Sequence, residues 1–188
     1  MRLTILRHGM TEANEKKLYC GRTDLPLSAR GREELLALRE TVRYPAAEFY
    51  VTSGMARATE TLRILYGREP QMILPELNEM DFGDFEMSGY EELKHIAAYQ
   101  RWIEGGCETA CPGGESRDIL DARVAAGLRA LAGLGVASAV AVCHGGVIVS
   151  VMERFFPGQK NFYEWQPKFG RGYALDIGGE AAVLIAGV

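Results

Sequence analysis

The run Ser138-Ala139-Val140-Ala141-Val142 carries small and branched apolar residues on both of its faces. A strand of that composition suits a place where both faces are covered, as in the middle of a sheet with helices on each side. Arg2–Leu6 reads as a second buried strand. Between and after these two runs, strands alternate with helices. Ser28 caps a helical run in which Leu35, Leu38 and Val42 share one face. Glu48–Thr52 is a short strand, followed by a helix from about Met55 to Leu65. Met72–Leu74 is a weaker strand ending at Pro75, and Tyr90–Ile103 reads as one helix. Gly105–Gly114 holds four glycines and one proline and is a loop. Ser116 starts a long helix with Leu120, Val124, Leu128 and Leu131 as its buried stripe. Gly146–Phe155 is helical, and Tyr173–Ile177 and Ala181–Ile185 flank Gly178-Gly179-Glu180 as a terminal hairpin. The pattern predicts a three-layer α/β fold: a mostly parallel central sheet flanked by helices, with one antiparallel edge strand. At 188 residues, without a linker or repeat, residues 1–188 are expected to form a single domain.

Composition narrows the partners. A net charge of −4 gives no support to a nucleic-acid or acidic-membrane partner. No apolar stretch is long enough to cross a bilayer. The N-terminal apolar run is too short for a signal peptide, so a cytoplasmic setting is expected, with Cys20, Cys107, Cys111 and Cys143 as free thiols. Cys107 and Cys111 lie four apart, but no second Cys/His pair stands at a spacing that would complete a zinc site, so no metal is expected.

Two of the three histidines close strands, and each is followed by glycine: Arg7-His8-Gly9 and His144-Gly145-Gly146. Strand ends of a parallel sheet are where α/β proteins place their chemistry. Asn14 follows the first strand, Arg57 the second and Glu79 the third. If the strands are parallel, one sheet edge collects two histidines, two arginines, a carboxylate and a carboxamide. That set suits phosphoryl transfer. Guanidinium forks and helix N-termini match phosphate oxygens. A neutral imidazole attacks phosphorus, and a carboxylic acid protonates the leaving oxygen. Asn14 also suits a helix cap, and Glu76, Asp81, Asp84 and Glu86 stand close to Glu79 as alternative carboxylates.

Arg7-His8-Gly9 with Thr11 and Asn14 resembles the signature of the histidine phosphatase superfamily, also called phosphoglycerate mutase-like. The resemblance extends through Gly21–Ser28 with Gly31, Ser53 with Arg57-Ala58 and Thr61, and Glu76–Glu79 with Phe82-Gly83 and Phe85-Glu86. Pro112–Ser116 and His144–Gly146 complete it. It implies a phosphoglycerate mutase-like fold and a small phosphorylated substrate, with no metal or organic cofactor. In the implied roles His8 is the phosphorylated nucleophile, Glu79 the proton donor, and Arg7, Arg57 and His144, helped by Asn14, the phosphate ligands.

Within the family the chain resembles the small phosphatases of the α-ribazole phosphatase type. The mutases usually carry Glu-Arg-His-Tyr-Gly at the acid/base position, where this chain has Glu79-Met80-Asp81-Phe82-Gly83, without the basic pair that grips a second acidic group. Two other readings remain: a phosphoglycerate mutase, and a phospho-ligand binding protein that kept the fold without turnover. Met10 and Met87-Ser88 depart from the family pattern, and Gln159–Gly172 matches no substrate pattern.

Overall fold

In the computed structural model, which describes residues 1–179 and 181–188, a six-stranded sheet forms the middle layer. In chain order the elements are β1 (Arg2–Arg7), α1 (Glu12–Glu15), α2 (Ala29–Thr41), β2 (Phe49–Thr52), α3 (Ala56–Tyr66) and β3 (Met72–Ile73). After two 3-10 turns, Pro75–Leu77 and Gly83–Phe85, come α4 (Tyr90–Leu93), α5 (Ala97–Glu104), α6 (Arg117–Gly133) and β4 (Ser138–Cys143). The chain ends with α7 (Gly145–Phe155), α8 (Phe162–Trp165), β5 (Gly172–Gly178) and β6 (Ala181–Gly187). The strand order is β3-β2-β4-β1-β5-β6. β3, β2, β4 and β1 are mutually parallel. β5 runs antiparallel to β1, and β6 antiparallel to β5. The expected antiparallel edge is therefore a two-stranded hairpin. Glu180 of its turn lies outside the described residues.

Alternation along the strands builds two cores. Leu3 and Ile5 of β1, Val51 of β2 and Ala139, Ala141 and Cys143 of β4 face α6 and α7, where Leu120, Val124, Leu128 and Leu131 form the expected stripe. Leu6, Tyr50, Val140 and Val142 point the other way, onto Leu35 of α2 and Ala58, Leu62 and Leu65 of α3. Since β4 is covered on both sides, its lack of polar positions after Ser138 follows. Ser28 and Ser116 cap α2 and α6, accepting from the Gly31 and Ile119 N–H groups.

The single helix expected over Tyr90–Ile103 is two, broken at Lys94–Ile96. Leu93, Tyr99 and Trp102 all belong to a third core with Phe85 and Cys111. Six residues of continuous helix would put Leu93 and Tyr99 about 120° apart on the cylinder. The break re-phases them onto one cluster. Gln100 Nε2 donates to the Lys94 carbonyl at 2.8 Å, satisfying an acceptor that the break leaves free. All four cysteines are free thiols. Among the described residues no helix is long and apolar enough to cross a membrane.

Candidate active site

Sheet order and register assemble the site. β2, β4 and β1 lie side by side and parallel, with Arg7 opposite Cys143 and Thr52 opposite Val142. The residues just past their C-terminal ends, Ser53, His144 and His8, therefore stand abreast. Neighbouring strands are about 4.8 Å apart. The His8 and His144 ring centroids are 5.0 Å apart, with the rings inclined by 59°. Both imidazoles are buried, His8 at 5 % exposure and His144 at 0 %.

Hydrogen bonds fix both tautomers. His8 Nδ1 lies 2.6 Å from the Gly9 carbonyl, which only accepts, so the proton of the neutral ring sits on Nδ1 and the Nε2 lone pair is free. Arg57 Nε donates to His144 Nδ1 at 3.3 Å, so His144 carries its proton on Nε2 and donates it to Ser53 Oγ at 2.8 Å. Burial, then the guanidiniums of Arg57 and Arg7, hold the His8 imidazole well below its ordinary value; the bond to Gly9 opposes them. His144 is lowered in the same way, by burial first, then by Arg57, His8, Arg123 and Arg7.

The arginines are held by backbone carbonyls rather than carboxylates. Arg57, only 1 % exposed, donates from Nη1 to the Thr23 carbonyl and from Nη2 to the Gly21 carbonyl, each at 2.8 Å. That leaves its full positive charge in the site. The loop that supplies these carbonyls is itself clamped. Glu86 accepts from the Gly21, Arg22, Thr23 and Phe82 N–H groups and from the Thr23 hydroxyl. Arg7 donates from Nη1 to the Pro167 carbonyl at 2.9 Å, and its Cζ lies 4.1 Å from the Phe169 ring centroid. Its Nε is buried without a partner. Burial lowers Arg7, and the Glu79 carboxylate pushes the other way.

Glu79 is the carboxylate that the geometry brings to this centre. Its two oxygens accept from Met80 N at 3.0 Å and Gly146 N at 3.1 Å, which places it at the start of α7 and within electrostatic reach of Arg7. A methyl group on Gly146 would stand 2.5 Å from Glu79 Oε1, so glycine is required for this approach. The neighbouring carboxylates are engaged elsewhere: Glu86 in the loop clamp, Asp81 with Gly83 N and, at 3.4 Å, with Arg22. Glu76 lies under α6 beside Gly127, and Asp84 is exposed near Gly113.

Asn14 acts first as a cap. Its Oδ1 accepts from the Thr11 N–H and hydroxyl, closing the capping box of α1, and it makes no hydrogen bond to Arg7, His8, Arg57 or His144. Sequence reading assigned no role to Thr61, which accepts from Gly9 N at 2.8 Å and so holds the loop after His8, nor to Ser53 as the partner of His144. It also missed Pro167 and Phe169. Thr61 and Ser53 are marked in the sequence only as members of a motif, and the other two lie in Gln159–Gly172, which matches no pattern. Among the described residues no three His, Cys, Asp or Glu side chains gather as a metal-ligand set.

The sequence model of the histidine phosphatase superfamily (branch 1) matches residues 3–178. The chain belongs to the histidine phosphatase superfamily. It is 32 % identical over 191 residues to an adenosylcobalamin/alpha-ribazole phosphatase of Escherichia coli, covering 98 % of this chain and 94 % of that one. The corresponding Salmonella typhimurium protein is 39 % identical over 128 residues, 66 % of this chain; the match spans 63 % of that relative's length. Among solved structures, an alpha-ribazole phosphatase from Shigella flexneri superposes with a TM-score of 0.85 at 30 % identity, covering 98 % of this chain and 94 % of that one. A phosphoglycerate mutase from Thermus thermophilus superposes with a TM-score of 0.76 at 31 % identity, over 99 % of both chains. The phosphoglycerate mutase-like fold and the α/β layering expected from the sequence are those of these relatives.

Proposed function

We propose that residues 1–188 act as one phosphatase domain that hydrolyses a small phosphomonoester through a phosphohistidine at His8. The observation that carries this reading is the bare Nε2 lone pair of His8, fixed by the Nδ1–H bond to Gly9 and set beside two guanidiniums. The Nε2 lone pair attacks phosphorus. The bond from phosphorus to the leaving oxygen breaks with its electron pair on that oxygen, which takes a proton from Glu79. Water then attacks the phosphorus on Nε2 and gives a proton to the Glu79 carboxylate, and the P–N electron pair returns to His8. The net change is ester plus water to alcohol plus phosphate. Arg7 and Arg57 neutralise the equatorial oxygens as charge spreads over them. His144 joins them by taking a proton on Nδ1, which a bound dianion favours. Asn14 keeps its NH2 for a phosphate oxygen while its carbonyl serves the cap.

The substrate reading is an alcohol of the α-ribazole phosphate kind, supported by the alpha-ribazole phosphatases among the relatives. Tyr163 of α8, 83 % exposed, is available to a flat ring. Met80 and Asp81 stand where a mutase carries its basic pair, which argues against a second acidic group on the substrate. A cytoplasmic setting accords with the four free thiols.

Turnover of p-nitrophenyl phosphate that survives EDTA, is blocked by vanadate and leaves an acid-labile phosphate on His8 is the expected result. Loss of activity on chelation, restored by a divalent ion, sinks the mechanism. Faster conversion of 2- to 3-phosphoglycerate than hydrolysis of α-ribazole phosphate would replace the phosphatase by the mutase. A protein that binds vanadate without turning over any of these esters would be the binding protein.

A further inference from the structure

Gln166 has no part in the reading above, yet it lies at the phosphoryl site. It follows Trp165, which is 1 % exposed and packed between Phe156 and Tyr173, with its carbonyl held by the Tyr173 hydroxyl at 2.9 Å. Gln166 N donates to the Phe162 carbonyl at 3.0 Å. The next residues are fastened to Arg7. Pro167 accepts from its guanidinium, Phe169 lies against it, Gly170 N donates to the Arg7 carbonyl, and Arg7 N donates to the Arg171 carbonyl. The segment is a strap that fixes where Arg7 points, and Gln166 leads it.

A methyl group on Gly145 would stand 2.7 Å from Gln166 Nε2 and 3.4 Å from both Cζ and Nε of Arg7. The two donors thus converge on the first residue of α7 and lie within about 6 Å of each other. The Gln166 carboxamide makes no hydrogen bond to another protein group among the described residues, and Arg7 Nε is buried without a partner. Donors brought together and left open call for an acceptor between them. Glu79 lies against the next residue, Gly146, about 100° further round the helix start. With Glu79 as the acid towards the leaving group, Gln166 beside Arg7 is left to the non-bridging oxygens.

We propose that Gln166 is a phosphate-binding residue, its side-chain NH2 donating to a phosphoryl oxygen beside Arg7. The assignment rests on the phosphatase reading of this site. A hydrogen bond to a charged acceptor predicts a loss of roughly tenfold when it is removed.

The test titrates orthovanadate and inorganic phosphate calorimetrically into the wild type, Gln166→Ala, Gln166→Met and Gln166→Glu, with thermal melts to verify folding. In parallel, kcat/KM is measured for p-nitrophenyl phosphate and an alkyl phosphate. Ala and Met should each weaken vanadate binding roughly tenfold and lower kcat/KM for both esters by the same factor; Glu, an anion against an anion, should cost about a hundredfold. Unchanged vanadate binding in folded Ala and Met variants overturns the assignment while leaving the His8 reading intact. So does a loss that depends on the leaving group. A wild type that binds neither anion overturns the reading of the site, and the assignment with it.

Discussion

Two buried neutral histidines make the stability of this fold depend on pH in a window where little else titrates. In the folded chain His8 and His144 are held well below the ordinary value of 6.5, chiefly by burial and then by Arg57. In the unfolded chain both titrate near 6.5. Below that value the unfolded state takes up protons that the folded state refuses, so stability is full above about pH 6.5 and is lost as pH falls. Between pH 7.5 and 5.5 the loss is about 1.4 kcal/mol per histidine, or about 2.7 kcal/mol for the pair. The depressed carboxylates Glu69 and Glu115 keep their contribution across this window and lose it only as pH falls below their ordinary value of 4.5. The assay is urea unfolding at half-unit pH steps in a His95→Gln background, so that the two buried histidines are the only ones left to titrate. The urea midpoint should fall on the order of 1 M between pH 7.5 and 5.5. His8→Asn should halve the dependence. A midpoint that stays flat, or a slope unchanged by His8→Asn, would refute buried neutral imidazoles.

Glu79→Gln should slow an alkyl phosphate by about 10²–10⁴-fold and p-nitrophenyl phosphate far less, because nitrophenolate hardly needs a proton; equal slowing would remove Glu79 as the acid. The same variant turns an NH2 towards a backbone N–H at Met80 or Gly146, so a stability loss of about 1–3 kcal/mol should accompany it, read by urea unfolding. Gly146→Ala should displace the Glu79 carboxylate, since the new methyl meets Oε1 at 2.5 Å. Turnover of the alkyl ester should fall roughly a hundredfold while the melting temperature stays near wild type, and an unaffected rate would show that the acid is not held there. Met87 adopts φ 58°, a left-handed conformation, and is 38 % exposed. Met87→Gly should therefore stabilise by about 1 kcal/mol, raising the melting temperature by about 2–4 °C, and a lower melting temperature would contradict the strain argument.

Much of this was legible in the sequence for a physical reason. A β4 that is apolar on both faces has one kind of home, and a histidine and glycine at the ends of two such strands must meet once those strands pair in register. What stayed hidden depends on partners that leave no trace in residue type. Pro167 serves through its carbonyl and Gln166 through its position over Gly145, so neither is marked by spacing. The break between α4 and α5 carries no glycine or proline; only the need to place Leu93 and Tyr99 in one cluster produces it. Glu86 looked like a rival acid because sequence distance does not reveal that its oxygens are filled by backbone N–H groups. Met87 is the reverse case. The departure from the family pattern was visible, and the backbone there takes a left-handed turn of the kind glycine favours, with Met87 N donating to the Tyr19 carbonyl at 2.7 Å.

The charge balance explains why these pieces belong together. Arg57 meets only carbonyls and an imidazole, and Arg7 a carbonyl and a ring, so neither guanidinium is hydrogen-bonded to a carboxylate, and Glu79 lies within electrostatic reach of Arg7. Protonating both histidines would add two more positive charges to a buried site beside two guanidiniums, which favours the neutral form of both. A phosphate dianion reverses that balance. In the proposed reaction it would satisfy the open donors on Arg7 and make a proton on His144 Nδ1 favourable, while His8 would keep its lone pair for attack. The division of labour between the two imidazoles then follows from their partners. His8 is tied through Nδ1 to a carbonyl that only accepts, so its Nε2 is the free nitrogen that the proposed mechanism uses for attack, whereas His144 shares Nδ1 with a guanidinium, the contact it would exchange for a phosphate oxygen in that mechanism.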